Sequence, residues 1–367
     1  MTALSYLIWN GDPEIFTFTV PFTDTEVTLR WYGLLFALGF LISQQILYYI
    51  YKKEGKPETD IDVLTLYMVV ATIVGARLGH VLFYEPQRYL SDPVSILKVW
   101  EGGLASHGAA AAILFALWLY SRKKKPGQSY LQVVDRIVIV VALTGALIRL
   151  GNFFNSEIIG IPTHNESGIV FARDVTKGLE QSGRVKDVSF VKVDSALNEN
   201  GFVPVKMLVD FNVVEPSASG QMYSALDRLS AYQSAREHID VTSDFIPKIG
   251  PNDSLGYSAV VFMYMIPRHP AQLYESAACV LLFFLLFSIW AKEKEKTPPG
   301  RLLGIFLIVC FGLRFLFEFL KESQVPFEDS MVLNMGQLLS IPLVLAGIVI
   351  LKLSFRKKDY LKAKNSA

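Results

Sequence analysis

Seven stretches of mostly apolar residues, each about 17–25 long and so able to cross a bilayer as a helix, punctuate this chain. They fall near 31–51, 63–84, 104–120, 132–151, 271–290, 302–320 and 333–352. Composition points the same way. The chain of 367 residues is 51% hydrophobic and only 19% charged, below the roughly 25% charged usual for soluble domains. Lys and Arg (35) almost cancel Asp and Glu (34), so the net charge of +1 lacks the basic excess of a nucleic-acid binder. The two cysteines, Cys279 and Cys310, each lie in an apolar run and read as small buried hydrophobes, which excludes a disulfide framework or a cysteine-based zinc site. The third and fourth stretches are the shortest and most interrupted, as expected of helices lining a polar cavity. No basic leader with a small-residue cleavage site opens the chain, so no removable signal peptide is expected.

The basic residues between the stretches set an expected orientation. Lys52, Lys53 and Lys56 follow the first, Arg122 to Lys125 the third; Lys292, Lys294, Lys296 and Arg301 separate the fifth and sixth, and Arg356, Lys357, Lys358, Lys362 and Lys364 fill the tail. Under the positive-inside rule these are cytoplasmic, leaving the N-terminus and the long 158–266 segment outside and the C-terminus inside. That segment is polar, with alternating runs at Val188–Val193 and Val205–Phe211 that predict half-buried strands, and a helix-like region around Ser224–His238. The expected fold is therefore a polytopic α-helical membrane protein, seven transmembrane helices with an inserted extracytoplasmic α/β head. Its expected division is 1–157 (N-terminal segment and four spans), 158–266 (head) and 267–367 (three spans and a cytoplasmic tail).

A charged side chain at membrane depth costs about 2.5–3.5 kcal/mol on insertion scales. Arg77, Arg149, Arg314 and Glu318 nevertheless fall in or at the ends of the second, fourth and sixth spans, and His107 lies near the outer end of the third. Glu318 follows Arg314 by one helical turn, where the two can pair. Snorkelling or a buried ion pair would explain any one of these; a shared polar cavity in the extracytoplasmic half explains them together. Guanidinium forks bind phosphate oxygens bidentately and stay charged when desolvated, so such a cavity suits an anionic phospholipid headgroup. Beside Arg149, the run to Glu157 adds Asn152 and Asn155, which suit ester or glycerol oxygens, and Glu157, which suits orienting an arginine. Capping of the fourth span is the plainer account of the asparagines.

The run Arg149-Leu150-Gly151-Asn152-Phe153-Phe154-Asn155-Ser156-Glu157-Ile158-Ile159-Gly160 resembles the signature of the bacterial prolipoprotein diacylglyceryl transferases. Further blocks agree in order: Arg30-Trp31-Tyr32-Gly33, Gly75 to Gly79, Trp100 to Gly108, Arg268 to Glu275, Arg314 to Glu318 and Met335 to Pro342. The resemblance covers all seven spans but not most of 161–265. It departs at Ile148, where the family usually has glycine, at Ala109, which replaces a second glycine after the histidine, and at Lys321, often arginine, which keeps charge but loses the fork.

The resemblance implies a multi-pass enzyme of the bacterial cytoplasmic (inner) membrane. Its partners are phosphatidylglycerol, the lipobox cysteine of a prolipoprotein signal peptide and the lipid bilayer, with no nucleic acid. The thiol would take the diacylglyceryl group as a thioether, the first step of lipoprotein maturation, and release glycerol 1-phosphate; no metal or redox cofactor is implied. Arg149 and Arg314 would hold the phosphate, with Glu157 and Glu318 orienting them. His107 is the candidate base, because imidazole titrates closest to neutrality. Tyr32, Asn152, Asn155 and Gly160 carry over as lipid-binding or cavity-shaping positions, and Arg77 as a substrate-binding candidate. An anion or phospholipid transporter would show repeat symmetry or paired broken helices, neither of which is evident. A non-catalytic peptide receptor would leave the clustered Arg, Asn and Glu unexplained.

Overall fold

The computed structural model describes residues 6–19, 21, 26–98, 102–181, 183–211, 220, 223–225, 229, 233–240, 247–251, 257–322, 328 and 330–366, without the side chains of 233, 234 and 357–366. Six helices are long and apolar enough to cross a membrane: α1 (Trp31–Lys53), α2 (Thr59–Phe83), α5 (Tyr130–Phe154), α8 (Ala271–Glu293), α9 (Arg301–Phe317) and α10 (Met335–Ser366). The third expected span is present as a shorter apolar helix of 16 residues, α4 (Ser106–Ser121). The fourth, expected to be short, is a continuous 25-residue helix; Asp135 and Arg136 interrupt its hydropathy, and both are buried against polar partners rather than breaking the helix.

The chain folds as two compact units, each assembled from separate stretches of sequence. The first comprises Met1–Leu35, Ile148–Ser276 and Leu316–Asn334. Its sheet runs β5 (Val185–Lys192), β6 (Val203–Phe211), β8 (Tyr257–Met265), β7 (Pro247–Pro251), all neighbours antiparallel. Both alternating runs read from the sequence are thus strands. Period two puts Val203, Val205, Met207, Val209 and Phe211 of β6 on one buried face beside Ala259, Val261, Met263 and Met265 of β8. The helix α6 (Arg173–Glu180) closes that face through Val175 and Leu179. Of the expected helix at 224–238, Tyr223–Ala225, Leu229 and α7 (Gln233–Arg236) are helical, and the intervening residues lie outside the described set. The N-terminus belongs to this core: β1 (Leu7–Trp9) pairs in parallel with β4 (Ile169–Phe171), and buried Tyr6 donates to the Pro204 carbonyl at 2.7 Å. A hairpin of β2 (Glu14–Thr19) and β3 (Glu26–Arg30) leads into α1.

The second unit is Phe36–Leu147, Ala277–Phe315 and Met335–Ala367. Its apolar core gathers residues such as Ile50, Ile61, Leu117, Ile139, Leu286 and Leu302. Helices α2 and α4 pack backbone to backbone, because Gly75 and Gly79 face Gly108: a Cβ on Gly108 would lie 2.3 Å from the Gly75 carbonyl oxygen. Two buried carboxylates knit the end bearing the basic connections. Glu54 accepts from Arg136 Nε (2.9 Å) and Nη2 (2.7 Å), from Trp290 Nε1 (2.7 Å) and from Lys56 Nζ (2.6 Å). Asp135 accepts from the backbone N–H of Gly300 (2.7 Å) and Leu303 (2.8 Å), satisfying orphan donors at the start of α9. Nothing in the local sequence singles out Asp135 and Arg136 for these roles, since they sit among apolar neighbours with no polar run beside them.

Candidate active site

Helix α5 ends in the first unit, and its last turn supplies the site. Arg149 and Asn152 are three residues apart and share a face, so Arg149 Nη1 donates to Asn152 Oδ1 at 3.3 Å. Beyond Phe154 the backbone turns sharply: Ser156 and Ile158 adopt φ of 55° and 57°, a left-handed conformation that a β-branched residue tolerates poorly and that clusters at functional sites. The turn folds Glu157 back over the helix end. There Glu157 Oε1 accepts from Asn152 Nδ2 (2.7 Å) and Asn155 Nδ2 (3.3 Å), while Gln272 Nε2 donates to its carbonyl at 2.7 Å.

Two residues left without a clear role by their sequence complete the network. Glu275 lies 2.7 Å from Arg149 Nε through Oε2 and 2.6 Å from Lys321 Nζ through Oε1. Lys321 also pairs with Glu318 Oε1 at 3.1 Å, and Glu318 Oε2 accepts from Asn334 Nδ2 at 3.2 Å. Glu275 and Lys321 are buried. The Arg149 side chain is 23% exposed, and among the described residues its Nη2 takes no partner. This guanidinium is therefore held from behind, on its Nε edge and at Nη1, with donors left at its outer tip.

Gly160 gains a reason independent of ligand. A Cβ there would meet the His269 carbonyl oxygen at 2.4 Å and the Leu320 carbonyl oxygen at 2.8 Å. Three chain segments cross at this point, joined by Gly160 N–H to His269 O (3.0 Å) and Ile161 N–H to Leu320 O (3.0 Å). Buried Arg268 fastens the crossing, donating through Nη1 to the Gly160 carbonyl (3.1 Å) and to Glu322. The crossing places Lys321 within reach of Glu275. Tyr32, at the start of α1, packs closely on Gly151, whose added Cβ would come within 2.9 Å of its ring.

Tyr32, Arg149, Asn152, Asn155, Glu157, Gly160 and Glu318 thus share the first unit, whereas Arg77, His107 and Arg314 belong to the second. Arg314 occupies the last turn of α9, and Glu318 opens the 3-10 turn that follows, so the helix type changes between them. His107 is exposed in the first turn of α4, its ring edge-on to Phe83 at 5.1 Å and tilted to Tyr84 at 5.8 Å. Arg77 is buried and differs from Arg149 in one decisive way. Its Nε donates to Ile96 O (2.9 Å), Nη1 to Gly102 O and Gly103 O, and Nη2 to Ser95 O and Lys98 O. All five guanidinium N–H groups are spent on backbone carbonyls, so none is left for a phosphate.

The family model for prolipoprotein diacylglyceryl transferase matches residues 20–353. The phosphatidylglycerol–prolipoprotein diacylglyceryl transferase of Tolumonas auensis is 35% identical over 352 residues, covering 96% of this chain and 99% of that protein. The same-named protein of Chloroherpeton thalassium is also 35% identical, covering 96% and 95%, and that of Bacteroides fragilis is 32% identical over 96% of each chain.

Proposed function

This chain belongs to the prolipoprotein diacylglyceryl transferase family, and from that premise we propose that Arg149, backed by Glu275, is the cation on which its reaction turns. The protein is a membrane transferase that moves the diacylglyceryl group of phosphatidylglycerol to a prolipoprotein. The acceptor is the lipobox cysteine thiol. Its sulfur attacks the glycerol carbon that carries the phosphate ester; the carbon–oxygen bond breaks, and the electron pair leaves on the phosphate oxygen as glycerol 1-phosphate. The nucleophile arrives with the substrate, so neither Cys279 nor Cys310 is needed.

Negative charge grows on the leaving oxygens, and catalysis requires donors already aimed there. The observation that carries the assignment is the Arg149 fork, fixed through Nε and Nη1 and open at its tip. Glu157 holds Asn152 and Asn155, whose amides suit the ester and glycerol oxygens. Glu318 pairs with Lys321 and so helps to position it. The chemistry of their side chains supports Arg314 as a further phosphate cation and His107 as the base that takes the thiol proton. Arg77, with every donor committed, is reassigned from substrate binding to holding a loop.

The topology belongs to the same proposal. Counting α4 as a short span gives seven crossings, and the basic connections then put the N-terminus and the 158–266 head outside and the C-terminus inside. The test is transfer in nanodiscs holding phosphatidylglycerol, with a lipobox peptide as acceptor, followed by thioether and glycerol phosphate. Arg149→Ala abolishes turnover if Arg149 is the clamp; wild-type turnover in that variant removes the assignment. A His107→Gln variant with unchanged rate and pH profile removes the base.

A further inference from the structure

Helix α4 is too short for its task. At 1.5 Å per residue its 16 residues span about 24 Å, against a hydrocarbon core of about 30 Å. Its partner α2 carries Asp60 and Asp62 in its first turn, and the mostly apolar remainder from Val63 to Phe83, which includes Arg77 and His80, extends about 31 Å, enough to cross unaided. The two helices do not begin and end at the same level. The N–H of Ala105, just before α4, donates to the Ala76 carbonyl at 2.9 Å, and Ala76 lies seven residues, about 10 Å, below the end of α2. Gly103 also lies against α2 rather than beyond its end: a Cβ there would come 2.7 Å from the His80 ring and 2.9 Å from Arg77 Nη1. Having left α2 at Phe83, the chain comes back down beside that helix before α4 starts.

We propose that Pro93–Lys98 and Gly102–Ala105 form a re-entrant segment, embedded in the lipid leaflet at the Phe83 end of α2, with Arg77 as the hub that makes the embedding possible. Pro93–Leu97 is a short 3-10 helix and Gly102–Ala105 is irregular; carbonyls that such short or irregular backbone leaves unpaired are tolerated at membrane depth only where protein satisfies them. Arg77 supplies that satisfaction, taking the carbonyls of Ser95, Ile96, Lys98, Gly102 and Gly103 on one buried guanidinium. Its face lies over Tyr89 at 4.9 Å, which closes the remaining side with an aromatic ring. The outward side chains fit one neighbour only. Within the segment, Val94, Leu97 and Leu104 are 65%, 74% and 56% exposed, the apolar outer surface that acyl chains would cover.

The inference rests on α2 being a membrane span, and the experiment separates the two. In a Cys279→Ala/Cys310→Ala background, nitroxide labels are placed at Leu97 and Leu104, at Val70 on the exposed face of α2, and at exposed Glu180 in the head, in nanodiscs of zwitterionic lipid. Accessibility to oxygen over a water-soluble nickel chelate should be high at Leu97, Leu104 and Val70 and low at Glu180. Val70 behaving as lipid-exposed while Leu97 and Leu104 behave as Glu180 overturns the re-entrant segment alone; Val70 behaving as Glu180 overturns the span and the segment with it. Arg77→Lys keeps the charge but offers three donors in place of five, and should shift the Leu97 and Leu104 labels toward nickel access with no phosphatidylglycerol present. Unmoved labels, with only the KM for phosphatidylglycerol raised, would make Arg77 a substrate residue and overturn its role as hub. Hydrogen–deuterium exchange of the unsubstituted protein in nanodiscs gives a readout free of variants: slow exchange over 94–98 supports burial in lipid, and exchange as fast as at an exposed loop overturns it.

Discussion

Replacing Glu275 by glutamine changes the site by one charge and almost no volume. The carboxylate touches Arg149 Nε at 2.7 Å and Lys321 Nζ at 2.6 Å, and the side chains of Glu275 and Lys321 are 7% and 2% exposed, so solvent does little to screen the Lys321 contact. Both contacts are close ion pairs, the one to Arg149 without hydrogen-bond geometry; removing the negative charge costs each about 1 kcal/mol and the two together about 2. If that energy is what holds the Arg149 fork in position for the leaving phosphate, kcat/KM falls by roughly 30-fold, at about 1.4 kcal/mol per factor of ten. The loss should fall mainly on kcat, since the donors at the outer tip of Arg149 still attract a phosphate in the ground state but no longer sit where charge develops. The assay titrates phosphatidylglycerol in nanodiscs at saturating lipobox peptide, normalised to folded protein by size exclusion. A variant that unfolds at lower temperature yet keeps kcat/KM within about twofold, some 0.4 kcal/mol, would show Glu275 to be a structural ion-pair partner and refute the positioning role.

Lys321→Arg should retain activity and stability, because Glu275 and Glu318 at 2.6 and 3.1 Å already present two carboxylates to a fork; Lys321→Met leaves both buried without that cation and should cost about 3–5 kcal/mol, read by thermal unfolding in detergent. Burial pushes the Glu54 carboxyl up, but the Arg136 guanidinium and the Lys56 ammonium together outweigh it and hold the group below its ordinary value of 4.5. Its stabilisation is therefore complete above that value and lost as pH falls through the lower folded value. The melting temperature of the unsubstituted protein should accordingly drop below pH 4.5, while Glu54→Gln melts lower at neutral pH and with a flatter dependence in that acidic window. Lys56, held down by its own burial, contributes less to this balance than Arg136. Gly108→Ala drives a methyl to 2.3 Å from the Gly75 carbonyl and 2.6 Å from the Gly79 Cα, both backbone atoms that cannot swing away; it should destabilise by about 1–3 kcal/mol, whereas Gly33→Ala, with nothing within 4 Å of the new Cβ, should melt as the parent does.

Helices α1, α2, α5, α8, α9 and α10 were legible because lipid imposes a length and a polarity that a window of sequence can register. The strands of the head were legible for the same local reason, a period of two in β5 and β6, but their order was not, since β6 pairs with β8 across some fifty residues of intervening chain. In the site the boundary lies in the same place. Arg149, Asn152 and Glu157 declared themselves because one helix turn and one sharp bend bring them together. Glu275 and Lys321, which complete the network, come from distant segments whose meeting depends on the crossing at Gly160.

The arginines show why the remainder could not be read from residue type. Hydropathy scores Arg77, Arg136 and Arg149 alike as charges in apolar runs, yet what each does follows from where its N–H groups go. Arg136 turns its Nε and Nη2 to Glu54 and to the Lys294 carbonyl, and Arg77 spends all five donors on one loop. Among the described residues Arg136 keeps an unpartnered Nη1 as well, but its side chain is 1% exposed; Arg149, 23% exposed, is the one of these three that gives its back to a carboxylate and keeps donors at a tip a ligand can reach. A guanidinium can stabilise a developing phosphate charge only with donors that folding has left unsatisfied. Donor occupancy together with access to the free donors therefore separates a candidate catalytic arginine from the arginines that hold the fold together, and both are properties of the folded chain.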